Sequence, residues 1–183
     1  MKARSAENSR TTITELMIPS YANFGGKIHG GILLSLMDKV AYATATKHSG
    51  AYCVTVSVDN VDFLQPVEVG DLVSMMASVN YVGNSSMIIG IKVIAENVKT
   101  GLVKHTNTSY FTMVAKNEDG SLMTVPALIL NSKEDLRRFA EAVKRKQLRK
   151  SYQEQMENEK SGFTFENEQA LVEDQRCEID IKE

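Results

Sequence analysis

The sequence predicts an α+β fold in which one apolar helix lies on an antiparallel sheet that curls round it, followed by a C-terminal helical extension. Three observations predict it. Between Gly31 and about His48 there is no Pro or Gly, and Leu and Ala are frequent, at a length that suits a helix better than a strand. Residues 51–116 shift to Val, Ile, Thr, Tyr and Phe, broken at Pro66, Gly70, Gly83 and Gly101, as in a run of strands. The connections Val82–Asn84 and Asn97–Gly101 are of hairpin length, so the strands they join should pair antiparallel.

Taken in order, residues 1–11 are polar and are expected to be a flexible N-terminus. Thr12 to Ile18 reads as a first strand, stopped by Pro19, and a glycine-punctuated loop leads into the helix. The helix is apolar around most of its circumference, which is what a helix inside a sheet requires. Four strands follow, at about Tyr52–Phe63, Asp71–Val82, Ser86–Asn97 and Leu102–Ala115. In the first of these, Val54, Val56 and Val58 share one parity and Val61 and Phe63 the other, so a bulge is expected near Asp59 or Asn60. Beyond Pro126, Ser132 is placed to cap a helix running to about Glu159, with a basic cluster at Lys144 to Lys150. From Ser161 the chain is acid-rich and aperiodic and reads as disordered or loosely docked. The expected organisation is a flexible segment at 1–11, one domain at 12–130, and a charged helical extension with an acidic tail at 131–183.

A chain of 183 residues can bury a substantial core, and its 43% apolar and 24% charged composition is that of a soluble globular protein. The formal charge of -2 gives no basis for a nucleic-acid or anionic-membrane partner. Cys53 and Cys177 lie far apart, one in an apolar run and one in a charged tail, unlike a disulfide framework or a metal clip. No segment reaches the ~20 apolar residues of a membrane span, and a cytoplasmic location is expected.

The chemistry concentrates in residues 19–40. The pair Gly30-Gly31 opens the helix and can present uncovered N–H groups to a reacting carbonyl oxygen, with Asn23 before it and Asp38 after it. Asp38 shares helical spacing with Ser35, Lys39, Tyr42 and Thr46, a pattern that an ordinary solvated stripe also shows. In such apolar company its carboxylate is expected to be partly desolvated and more basic, which suits a general base. Asn23 taken alone reads as a turn residue, and its amide is also able to orient a water, the two roles being compatible. His29 is the histidine nearest the glycines, while metal-ligand spacings, a Gly-x-Ser-x-Gly elbow and phosphate-loop motifs are absent from the sequence.

Together, Asn23-x-Gly25-Gly26-x-x-x-Gly30-Gly31 with Asp38, Val58-x-x-Val61-Asp62-Phe63-x-x-Pro66 with Gly70-Asp71, and Val82-Gly83-x-Ser85-Ser86-Met87 resemble the hotdog-fold acyl-CoA thioesterases, in particular the cytosolic acyl-CoA hydrolase group. The resemblance covers about residues 11–130 and leaves the tail unexplained. It implies hydrolysis of acyl-CoA to a free fatty acid and CoA without a metal or redox cofactor, in homodimers that often assemble into hexamers. It also implies that Asn23 places the water or the thioester, that Asp38 is the base or the nucleophile, and that the Gly31 amide, helped by Gly30, polarises the carbonyl. Asn23 and Asp38 would face each other from two subunits. Asp62, Phe63, Val82, Gly83, Asn84, Ser85 and Ser86 fall where related proteins line the CoA groove, His29 reads as pocket-lining, and Lys116 and the 144–150 cluster are candidates for the CoA phosphates. Two alternatives remain at this point: a hotdog dehydratase using His29, and a non-catalytic acyl-CoA-binding module.

Overall fold

The computed structural model describes residues 1–181. The elements are β1 (Arg4–Ser5), α1 (Ala6–Ser9), β2 (Thr11–Leu16), α2 (Gly30–Ser49), β3 (Tyr52–Val58), β4 (Asp71–Val82), β5 (Ser86–Asn97), β6 (Leu102–Lys116), β7 (Leu128–Ile129), α3 (Lys133–Ser161) and α4 (Phe165–Val172). Five strands make one antiparallel sheet in the order β2-β4-β5-β6-β3, and α2 packs on it from β3 across to β2. The side chains of Met37, Val40, Ala41 and Ala45 have no exposure at all, and they meet Met75, Met87, Ile89 and Phe111 from the sheet. Each large aliphatic side chain buried in this way contributes about 1.5–3 kcal/mol, so the α2 interface holds the curl of the sheet. Gly50 ends α2 in the left-handed conformation at φ 74° that its C-terminal position demands, its N–H donating to the Thr46 carbonyl at 2.8 Å.

The sheet departs from the sequence reading at β3. The strand ends at Val58 instead of Phe63, and the shift in register falls between Thr55 and Ser57, at Val56, and not near Asp59. Residues 59–66 leave the ladder, with backbone bonds to the sheet from Asp59 N–H to the Tyr110 carbonyl and from Leu64 N–H to the Thr106 carbonyl, at 2.9 and 2.8 Å. The change of parity at Val61 and Phe63 therefore marks the chain leaving the sheet. Because β3 lies at an edge of the sheet, with no strand on its outer side among the described residues, the exposed Tyr52, Val56 and Val58 form an apolar border there.

The N-terminus is ordered, contrary to the flexible segment expected at 1–11. Ala6 and Ser9 are buried, the Ser9 hydroxyl accepts from Val79 N–H at 3.3 Å, and Arg4 Nη1 donates to the His48 carbonyl at 2.6 Å at the C-terminal end of α2. Polarity hid this because the segment docks through hydrogen bonds to backbone groups that α2 and β4 leave open. The His48 ring beneath it is 1% exposed, with Nε2 at 2.9 Å from the Pro126 carbonyl and Nδ1 unpaired. Burial lowers its pKa from 6.5, the Pro126 carbonyl opposing and Arg4 adding to the effect. The unfolded chain therefore takes up a proton near pH 6.5 that the folded chain takes up only at lower pH, so His48 adds stability above that value and loses it as pH falls. The melting temperature should drop between pH 6.5 and 5 in the wild type, and His48→Gln should flatten that slope; equal slopes in a thermal-melt pH series would refute the assignment.

The chain forms two compact units, Met1–Ala142 and a second beginning at Val143. The first continues past the boundary expected near residue 130, because the opening turns of α3 bury Asp135 and Ala142. Ser132 caps them as expected, its Oγ accepting from Asp135 N–H at 3.0 Å. The second unit holds the rest of α3 and, where a disordered or loosely docked stretch was expected, the helix α4, capped by Thr164. Among the described residues, no helix is long and apolar enough to cross a membrane.

Candidate active site

The loop before α2 is built by Asn23. Its Oδ1 accepts from Gly25 N–H at 2.9 Å and Lys27 N–H at 3.2 Å, and its own N–H donates to the Lys27 carbonyl at 2.7 Å. Two backbone donors on one atom identify it as the oxygen, which leaves the Nδ2 amide at an exposed position with no acceptor among the described residues. Both readings of Asn23 are thus compatible: the oxygen makes the turn and the amide faces outward. Phe24, beside it, is fully exposed.

The glycine pair behaves differently from expectation. Gly30 and Gly31 have ordinary helical backbones, without positive φ, and their smallness serves close packing. A methyl added at Gly30 would lie 3.3 Å from the Phe63 ring, and one at Gly31 would lie 2.9 Å from the His29 ring. His29 is the N-cap of α2, its Nδ1 accepting from Gly31 N–H at 2.8 Å. The Gly31 amide, expected to await a carbonyl oxygen, is therefore engaged here, whereas the Gly30 N–H has no acceptor among the described residues. This capping role occupies His29 Nδ1 and leaves Nε2 without a partner among the described residues.

Asp38 lies two turns into α2 and is exposed in this chain, so the desolvation expected for it is not provided by its own subunit. Its Oδ1 accepts from Thr55 Oγ1 at 2.5 Å, and that hydroxyl also lies 3.0 Å from Met113 Sδ. The carboxylate is held by one oxygen, while Oδ2 has no partner among the described residues. Sequence reasoning missed Thr55, since a threonine in a strand is what β propensity favours. The one available signal was its parity: Thr55 follows Cys53 on the face turned toward α2, ahead of the bulge.

Asp38 borders two grooves. One, of about 370 Å³, runs past Lys39, Tyr42, Tyr52 and Thr55; the other, of about 540 Å³, is walled by Leu34, Val58, Val61, Phe63 and Phe111. The remaining expected contacts divide between opposite ends of the sheet. The hairpin Val82, Gly83, Asn84, Ser85 and Ser86 sits where Ser86 pairs with Val114, alongside Lys116 at the end of β6. Asp62 and Phe63 lie near Thr106, so roughly 25 Å of β6 separates the two sets. One chain does not bring them together, and Asp62 is exposed away from both grooves. The 144–150 cluster belongs to the second unit. Among the described residues, no group of three or more His, Cys, Asp or Glu could hold a metal ion.

Residues 25–102 match the thioesterase superfamily. The chain is 43% identical over 145 residues to the protein VdlD of Helicobacter pylori, covering 79% of this chain and 83% of that protein. It is 33% identical over 150 residues to the uncharacterized acyl-CoA thioester hydrolase YkhA of Bacillus subtilis, covering 82% and 87%. Among solved structures, it matches a hexameric acyl-CoA thioesterase in its apo form with a TM-score of 0.80 and 36% identity, over 83% of this chain and 97% of that one. It also matches the Staphylococcus aureus acyl-CoA hydrolase in complex with butyryl coenzyme A and coenzyme A, with a TM-score of 0.78 and 29% identity, over 85% and 95%. That hydrolase has been solved with an asparagine, an aspartate and a threonine each replaced by alanine, the intervals between them being 15 and 17 residues. On these similarities and on its own architecture, the chain belongs to the thioesterase superfamily, as a hotdog-fold acyl-CoA thioesterase.

Proposed function

We propose that this chain hydrolyses acyl-CoA by water attack at a site shared between two subunits. The observation that carries the proposal is a separation. Gly30 and Asp38 are eight residues apart on a straight helix, which is about 12 Å. A base and an oxyanion donor must both lie within about 3–3.5 Å of the groups that react. One chain therefore holds two incomplete halves: the Asn23 amide with the helix N-terminus, and Asp38 with Thr55. The outer side of β3, where no strand lies among the described residues, is where a second copy can join them, and its arrival would give Asp38 the burial it lacks.

In the completed site, Asp38 Oδ2 takes the proton of the attacking water while Thr55 holds Oδ1, and the Asn23 amide of the other subunit positions that water or the thioester. The developing oxyanion meets the Gly30 N–H at the N-terminus of a 20-residue helix, whose dipole adds stabilisation. Gly31 joins it when the His29 ring turns away. Collapse expels the CoA thiolate, which then accepts a proton. The intervals of 15 and 17 residues in the Staphylococcus aureus variants equal those separating Asn23, Asp38 and Thr55, which supports this set of three.

We assign no metal or redox cofactor, CoA being part of the substrate. Assembly of dimers into a hexamer is part of the proposal, supported by the hexameric neighbours. So is a cytoplasmic setting, which two unpaired cysteines fit. The test is release of free thiol from acyl-CoAs of short, medium, long and aromatic chain. The purified protein should release it from at least one class; none from any would overturn the reading.

A further inference from the structure

Phe63 stands at a junction. Its ring is one wall of the 540 Å³ groove that begins at Asp38, and also one wall of a separate cavity of about 370 Å³ on its far side, lined by Ile28, Leu33 and Val67. Among the described residues, no other borders both. The groove on the Asp38 side is apolar along its length, with charge only at Asp38 itself and at Asp59, so the part of the substrate that suits it is a hydrocarbon chain. The neighbouring groove, with Lys39, Tyr42 and Tyr52, offers the donors and aromatic faces that a polar, amide-bearing arm would use.

Resting on the thioesterase reading above, we infer that the acyl chain runs from Asp38 along the Leu34, Val61 and Phe111 wall and that Phe63 is its end stop, fixing the longest chain accepted. The ring is seated against Gly30, where any side chain would press on it at 3.3 Å. It is carried by residues 59–66, which lie outside the strand ladder and bond to the backbone of β6 at Asp59 and Leu64. At 45% exposure it is not locked into the core. The cavity behind it is rimmed by Ile28 and Val67, joined by an N–H to carbonyl bond of 2.9 Å, and by Lys27, which pairs with Glu68 at 2.6 Å. Removing the ring would join the two spaces and lengthen the channel away from Asp38 and Thr55, into a cavity that Lys27 and Gly30 also line, so the readout is the change of profile with acyl length and not the absolute rate.

The test is the profile of kcat/KM against acyl length, from acetyl-CoA to long-chain CoAs, for the wild type, Phe63→Ala, and Phe63→Ala combined with Gln65→Trp, which refills the far cavity from its rim. Phe63→Ala should shift the maximum by at least two carbons and raise the ratio of long-chain to short-chain kcat/KM by about tenfold, the value of roughly 1.4 kcal/mol of added chain burial. The double variant should return the maximum toward the wild type. A uniform fall at all lengths, or an unmoved maximum, would overturn the end-stop role. Absence of hydrolysis by the wild type at every length would instead overturn the thioesterase reading.

Discussion

Asp38→Ala should lower the turnover of acyl-CoA by about 10³-fold while the protein stays folded, a loss within the range for removal of a positioned general base. Two features make this the largest single-residue effect expected. Asp38 is exposed on α2, and its one side-chain bond is to Thr55, so its removal opens no cavity and strands no buried charge. Alanine is also the better helix former, so the thermal midpoint should stay put or rise slightly. Asp38→Asn sharpens the result, because an amide oxygen can still accept from Thr55 Oγ1 yet cannot take a proton from water; it should be nearly as inactive as the alanine variant. Steady-state thiol release, paired with thermal melts, measures both quantities. A variant within tenfold of the wild type would return Asp38 to the solvated stripe that its spacing with Ser35, Lys39 and Tyr42 also describes.

The parts of the fold legible in the sequence are those where local chemistry and tertiary packing ask for the same thing. The ends of β4 and β5 follow from turn residues at 83–85 and 97–101, and α2 ends where Gly50 permits a left-handed residue. Residues 59–63 were misread because Val61 and Phe63 are apolar for a reason other than strand pairing: they wall a groove. The N-terminal segment was misread because its order comes from Arg4 and Ser9 bonding to distant backbone, which no local pattern shows.

The site divides in the same way. Asn23 and Asp38 stand out as polar residues in a glycine-rich and an apolar frame, whereas Thr55 is an unremarkable strand residue until the fold sets it beside Asp38. The cap on the Gly31 amide escaped because an imidazole accepting two residues ahead is not among the usual N-cap types. Helix length was in the sequence throughout, and it is on this length that the proposal of a site shared between two chains rests.

That conclusion yields a result no single-subunit site can produce. Asn23→Ala and Asp38→Ala, each inactive alone, should regain activity when mixed and allowed to exchange subunits. In a mixed dimer, the Asp38→Ala subunit contributes an intact Asn23 and helix N-terminus, and the Asn23→Ala subunit contributes an intact Asp38 and Thr55. One native site forms and the other carries both lesions. With random exchange, half the dimers are mixed and each has one working site of two, so the mixture should recover about a quarter of wild-type activity under two-fold symmetry. Against parents reduced by ~10²-fold or more, that gain is easily resolved. The measurement is thiol release before and after exchange, driven by mild denaturant and dilution, with the subunit mixing verified by native mass spectrometry. Mixed dimers that form and remain as inactive as their parents would place Asn23 and Asp38 in the same site of the same chain. The 12 Å of helix between the Gly30 amide and Asp38 would then have to be spanned by some other group.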